Sequence, residues 1–411
     1  MKVLVVLLAV LCGTAFAYKS YEGYHVLKTK PLANEDLRKF DALRSDPTFN
    51  FWVFPQVGRA VEIMVPPANV SSLHSRLQRY GLEPTVVIEN VEEIVANERA
   101  EIEAMRRAEK LSGRAPSFDR FLDLSELFAY LDEVVATYPE IATIIDIGTS
   151  FEGRPLRVLK LSNGPGKSGL FIESVIHARE WIGPPTLLYA INELTENLAN
   201  NQAMLDKNDF YFLLATNPDG YDYTWTTDRF WRKTRKPNSG SSCVGTDPNR
   251  NFDWKWGGGG IPGPCDETYP GTGPLSEIEC KSYADFLAAN PSINMVISIH
   301  SYGQMLLYSW GDTTELPPNV GILDSIATAA MEALYAVRGT TYDIGSIANT
   351  IYLAYGGTID WVLGVLGKQA YAFELPGGGL AGFNPPASAI IPVATETWEA
   401  FKVFAENIPP L

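Results

Sequence analysis

The chain has 411 residues, 46% of them hydrophobic and 20% charged. That is enough apolar material for two or three cored folding units, and it excludes a disordered polyelectrolyte or a collagen-like fibre. The 33 basic and 48 acidic residues leave a net charge of −15, which excludes a nucleic-acid partner, because a phosphate backbone is held by clustered Lys and Arg.

At the N-terminus Lys2 precedes the apolar run 3–11, and Ala15-Phe16-Ala17 has the small-x-small pattern that signal peptidase reads. Residues 1–17 are therefore expected to be a cleaved secretory leader, and the protein secreted and extracellular. The run is shorter than the roughly 18 to 20 residues that cross a bilayer. No later stretch reads as a span, so no membrane partner is expected. Export sets how the cysteines read. Cys12 leaves with the leader. Cys243 and Cys265 lie in a Gly/Pro/Ser-rich loop region and are expected to pair, while Cys280 sits in the helical-looking stretch 278–283 as a buried thiol. A zinc cluster of cysteines is the rival reading, but no C-x-x-C spacing supports it.

From residue 18 to about 90 the chain alternates short apolar strands (24–27, 51–54, 61–65, 84–88) with helical stretches (34–46, 70–80), which predicts a small α+β unit. Asn69-Val70-Ser71 within it is a glycosylation sequon. Residues 91–110 are rich in Glu, Arg and Ala without breakers and predict one exposed connecting helix. Its end carries Arg106, Arg107 and Lys110, with Arg114 beyond. A trypsin-like protease cutting within 106–114 would separate an activation domain, 18–110, from a second body, 111–411. The plain alternative is a solvated helix whose basic residues carry no meaning. Residues 1–110 hold 14 Lys+Arg and 14 Asp+Glu, so the whole of the −15 belongs to the second body.

In that body apolar strands alternate with helical patterns, which predicts an α/β fold: a mixed, largely parallel sheet with helices on both faces. Four apolar runs end on polar residues: 170–176 at His177, 210–215 near Asn217, 295–299 at His300 and 370–373 at Glu374. Ligands of open α/β sheets collect at the carboxyl ends of strands, so these four endings are expected to share one crevice. Only His177 and His300 of the four histidines lie in the second body. Either alone reads as a satisfied histidine at a sheet edge. With Glu180 three residues after His177, they form a candidate two-histidine, one-carboxylate zinc site with a position left open. Trp256-Gly257-Gly258-Gly259-Gly260 lacks the Lys-Ser/Thr of a phosphate cradle and reads as a flexible loop.

Seven blocks then fall in register: His177-Ala178-Arg179-Glu180-Trp181, Asn217-Pro218-Asp219-Gly220-Tyr221, Trp231-Arg232-Lys233-Thr234-Arg235, Asp247-Pro248-Asn249-Arg250-Asn251, Ser298-Ile299-His300-Ser301-Tyr302, Ile351-Tyr352 and Phe373-Glu374-Leu375. Together they resemble the digestive zinc procarboxypeptidases of the A/B family, over nearly the whole chain after the leader. The resemblance implies one Zn2+ held by His177, Glu180 and His300, with Glu374 as general base for the attacking water. It implies Arg232 beside the developing oxyanion, and Asn249, Arg250 and a closing Tyr352 around the free α-carboxylate of a peptide substrate. Arg179 matches a position that contacts substrate further away, with surface ion pairing as its competitor. Asp247 is expected behind His177, on the ring nitrogen that does not ligate, and the Ser301–Tyr302 bond is expected to be cis.

Basic-specific relatives carry an acidic residue at the pocket floor where this chain has Ile359. With Ile347, Ile351, Ala354 and Ala372 nearby, an apolar pocket and a preference for C-terminal Phe, Tyr or Leu are expected, with Asp360 pointing elsewhere. Ala372 replaces a common Thr, and Leu375-Pro376-Gly377-Gly378-Gly379 departs from bulkier polar residues in relatives. The alternatives are a basic-specific enzyme of the same fold and a catalytically silent peptide binder. A monomer is the expected state.

Overall fold

A computed structural model describes residues 18–113, 117–379 and 382–411. The expected leader, Cys12 within it and Arg114 lie outside the described residues. The first body is a four-stranded antiparallel sheet of β1 (His25–Lys28), β2 (Asn50–Val53), β3 (Glu62–Val65) and β4 (Thr85–Ile88), in the order β2-β3-β1-β4. One face packs on the helix Val70–Arg79 and the helical segment 34–44, through Leu27, Phe40, Phe51, Ile63, Leu73 and Leu77. The stretch read as one helix, 34–46, is a 3-10 turn followed by a single α-turn, ending at Arg44.

The connecting helix runs Val91–Ser112. Asn90 caps it by accepting from the Glu92 amide, and Gly113 ends it at φ 69°, a left-handed geometry that glycine adopts without a Cβ penalty.

The second body holds β5 (Ala142–Thr149), β6 (Pro155–Leu161), β7 (Ser168–Ser174), β8 (Asn208–Leu213), β9 (Ile293–Ser301), β10 (Met305–Tyr308), β11 (Asp343–Ser346) and β12 (Gln369–Leu375). They form one sheet in the order β11-β10-β12-β9-β7-β8-β6-β5. The central run β12-β9-β7-β8 is parallel, and the antiparallel pairs lie to either side of it. Helices Gly183–Glu193, Val320–Arg338 and Ile390–Glu406 cover one face, and Ile278–Ala289 and Thr358–Leu366 the other.

Strand alternation decides which side chains reach the site. Phe171 and Glu173 on β7, Val296, Ser298 and His300 on β9, and Ala372 and Glu374 on β12 share one face. The intervening Ile172, Ile297, Ile299 and Phe373 fill the opposite core. β9 and β12 run on through His300 and Glu374 rather than stopping before them, and the two residues are direct cross-strand partners. Chain order reverses direction at β7, which lies between β8 and β9, so the crevice there is a topological switch point.

One expectation needs correcting. The 19-residue helix Val320–Arg338, with mean hydropathy 1.4 in its most apolar window, is long and apolar enough to cross a membrane by length and composition. It instead buries Leu323, Ile326, Ala327, Ala330, Met331 and Leu334 in the core of the second body. Cys243 and Cys265 are bonded, with Cα atoms 5.1 Å apart, and Cys280 is a buried free thiol.

Candidate active site

His177 stands on the turn that leaves β7. Backbone bonds from Thr216 to Ser174 and from Asn217 to Val175 hold that turn against the next strand ending. His177 Nδ1 lies 2.8 Å from Glu180 Oε1, His300 Nδ1 lies 3.1 Å from Glu180 Oε2, and the two Nδ1 atoms are 3.1 Å apart. All three residues are buried. Two imidazole nitrogens facing each other at that distance repel through their lone pairs unless a proton or a cation lies between them. With a carboxylate oxygen on each, the donor set is N, N and O, which suits zinc with a position left open for solvent.

The surroundings are charged and buried. Asp247 Oδ1 lies 3.2 Å from His177 Nε2, and its Oδ2 accepts from Arg232 Nη2 at 2.8 Å. Burial opposes ionisation of Asp247, but Arg232 and His177 outweigh it and hold the carboxyl well below the usual range. Arg232 Nη1 stands 3.9 Å from Glu180 Oε1, next to the three-residue donor set. Burial pushes Glu374 up to about 7. For His300 burial works downward, yet the Glu180 carboxylate prevails and, without a cation, raises it to about 9.

Asn249 turns its Oδ1 to the amide and hydroxyl of Thr358, and Arg250 Nη2 donates to the Tyr352 hydroxyl at 3.0 Å. The Ser301–Tyr302 peptide is cis. Ile359 is buried in the same cavity as Leu307, Ile347, Ile351, Ala354 and Ala372. Asp360 also borders that cavity. Its Oδ2 accepts from the Gly311 amide at 2.8 Å, and burial pushes the carboxyl up to about 7.

The first body closes the crevice. Trp52, Val53, Phe54, Gln56 and Arg59 line the same cavity as His177, Glu180, Arg232 and Glu374. Arg179 is fully buried, and its Nη1 also lies 3.5 Å from Glu267 Oε2 as an ion pair. Its guanidinium donates to Asn50 Oδ1 at 2.8 Å and Phe51 O at 2.9 Å, and it stacks on Phe383. Tyr302 donates to Glu62 on β3 at 2.7 Å, Gln56 donates to the Thr350 carbonyl, and Trp52 packs between Phe230 and Phe383.

Residues 127–400 match the zinc carboxypeptidase family, and residues 27–98 match the carboxypeptidase activation peptide. The chain belongs to the zinc carboxypeptidase family. It is 36% identical to rat carboxypeptidase A2, over 98% of each chain, and 38% identical to mouse carboxypeptidase A1, over 97% of each. Among solved structures, the fold superposes on carboxypeptidase A from Helicoverpa armigera with a TM-score of 0.85 at 28% identity, covering 94% of this chain and 97% of that one. It superposes equally well on thrombin activatable fibrinolysis inhibitor, with a TM-score of 0.85 at 32% identity, covering 94% and 99%. The protein is thus the zymogen of a zinc metallocarboxypeptidase, with zinc held by His177, Glu180 and His300.

Two features of this zinc carboxypeptidase escaped the sequence reading. The pro-segment groups that meet the crevice, Asn50, Phe51 and Trp52, look in sequence like any strand. Glu173 is a fully buried carboxylate on the site face of β7, bonded to the hydroxyls of Ser298 and Thr216. Its signal was available, as the one charged side chain in the run 170–176.

Proposed function

We propose that the mature enzyme removes single apolar or aromatic residues from the free C-termini of peptides. The observation that carries this reading is that Ile359 lines one cavity with Ile347, Ile351 and Ala372, and that Arg250 and the metal ligands line the same cavity. An unpaired Lys or Arg buried there would forgo hydration without a charge partner.

A zinc ion at the site supplies Lewis acidity, polarising a carbonyl and lowering the pKa of water. Glu374 takes the proton of the attacking water and returns it to the leaving amine. Arg232, already fixed by Asp247, offers a second cation to the oxyanion without reorganisation. Arg250 and Asn249 receive the α-carboxylate, and Tyr352 swings from Arg250 to cover it. Arg179 takes up substrate backbone once Asn50 and Phe51 have left it.

The domain division supports the same reading, with 18–110 as activation segment and 111–411 as enzyme. Within the expected cleavage window Arg106 is held by Asp123 and Glu126, whereas Arg107 and Lys110 are exposed towards the helix end, which favours cutting after one of these two by a trypsin-like protease. The disulfide and the leader-like N-terminus support secretion. Asp360 favours one second reading, a basic-specific enzyme, because it borders the pocket next to Ile359. Bonded to Gly311 and raised by burial, it is a poor counter-ion below about pH 7.

One assay tests the proposal: release of C-terminal Phe against Arg from otherwise identical peptides, by full-length and trimmed protein, with and without a chelator. Phe release by trimmed protein alone, at least 100-fold over Arg and abolished by the chelator, is expected. Faster Arg release would install the basic-specific reading. Equal activity of the full-length form would remove the zymogen account.

A further inference from the structure

Both ligating imidazoles offer Nδ1 to the metal, so each must carry its proton on Nε2. At His177 the acceptor for that proton is the Asp247 carboxylate. His300 has no carboxylate there. The nearest group to its Nε2 is the Ser298 hydroxyl at 2.9 Å, two residues earlier on the same face of β9. A hydroxyl can donate or accept, and only acceptance leaves Nδ1 free for zinc.

Glu173 decides the direction. Its Oε1 accepts from Ser298 Oγ and its Oε2 accepts from Thr216 Oγ1 at 2.6 Å. The single Ser298 proton is therefore committed to the carboxylate, and the serine oxygen faces the imidazole as an acceptor. Burial raises the Glu173 carboxyl; the relay runs in this direction with the carboxylate ionised, or with a proton on Oε2 donated to Thr216, and a proton on Oε1 would reverse it. The competing neighbour is Asn249 Nδ2, a donor that would favour the wrong tautomer. It stands 3.4 Å away, farther than Ser298.

We propose that Glu173 is a positioning residue of the zinc centre, fixing the Nε2–H tautomer and ring orientation of His300 through the Ser298 hydroxyl, as Asp247 does directly for His177. The inference rests on the zinc site and is independent of the C-terminal preference. Groups behind metal ligands typically change metal affinity by about 10- to 100-fold when removed.

The test is zinc affinity of the full chain, measured by chelator competition. Ser298→Ala and Glu173→Leu should each weaken zinc binding by about 10- to 100-fold, and the double variant should be no weaker than either, because both interrupt one relay. Glu173→Gln keeps an acceptor for Ser298 and a donor for Thr216, so it should stay within about threefold of the unaltered chain. In the unaltered zinc-loaded chain, the His300 Nε2–H resonance should be protected from solvent exchange, a measurement that needs no variant to fold. Zinc affinity within twofold in a folded Ser298→Ala chain, a Glu173→Gln loss equal to that of Glu173→Leu, or a freely exchanging Nε2–H would each overturn the proposal.

Discussion

Glu374 shows how much of the chemistry depends on one register. It is the cross-strand partner of His300, so its carboxylate emerges beside the metal ligands on a rigid element, and burial has already moved its pKa towards neutrality. The proposed base must be ionised to act, so kcat/KM should rise with pH along an acid limb placed at or below about 7, since a dication next to the carboxylate would draw its pKa down. Glu374→Gln should lower kcat by about 10²- to 10⁴-fold with zinc content and KM little changed. Steady-state kinetics with a metal assay would check it, and an unchanged kcat would move the base elsewhere. Asp247 illustrates the same economy of placement, since one carboxylate orients both His177 and Arg232.

At the scale of elements, the connecting helix is more than a tether. Glu98 on its inner face pairs with buried Arg229 through two bonds, at 2.6 and 2.9 Å, and Arg106 joins Glu126, which also closes the N-terminal capping box of the helix Leu124–Thr137. Removing one partner of a buried pair leaves the other charge unmatched, at about 3 to 5 kcal/mol. Glu98→Ala should therefore lower the unfolding midpoint of the full chain but leave the trimmed enzyme unaffected, and paired thermal melts of the two forms would check it. The helix was legible in sequence because its residues lack breakers over six turns. Its partners were not legible, because Glu98 meets Arg229 across 131 residues and no local pattern encodes such a pairing. The two histidines and Glu180 were readable because metal ligation demands particular residue types. Ser298 and Glu173 were hidden, since a serine and a single acid inside strands have many structural uses. Asp360 and Ile359 both lie in the first turn of a helix that borders the pocket, and the Asp360 carboxylate is taken up by the Gly311 amide.

On the scale of the whole molecule, two bodies share one crevice. The first lays β2 and the segment that follows it across the site, occupying Arg179 with its own backbone and pressing Phe54 towards Tyr352. On the proposed reading substrate backbone would need the same guanidinium, and the covered form would be inhibited by occupancy, with the metal ligands already assembled beneath. That last point is the centre of the account, and metal content tests it most directly. Elemental analysis of the purified full-length chain should find one zinc per molecule, lost in Glu180→Ala while the fold is retained. A full-length chain with no stoichiometric transition metal that still yields active enzyme on trimming would contradict it.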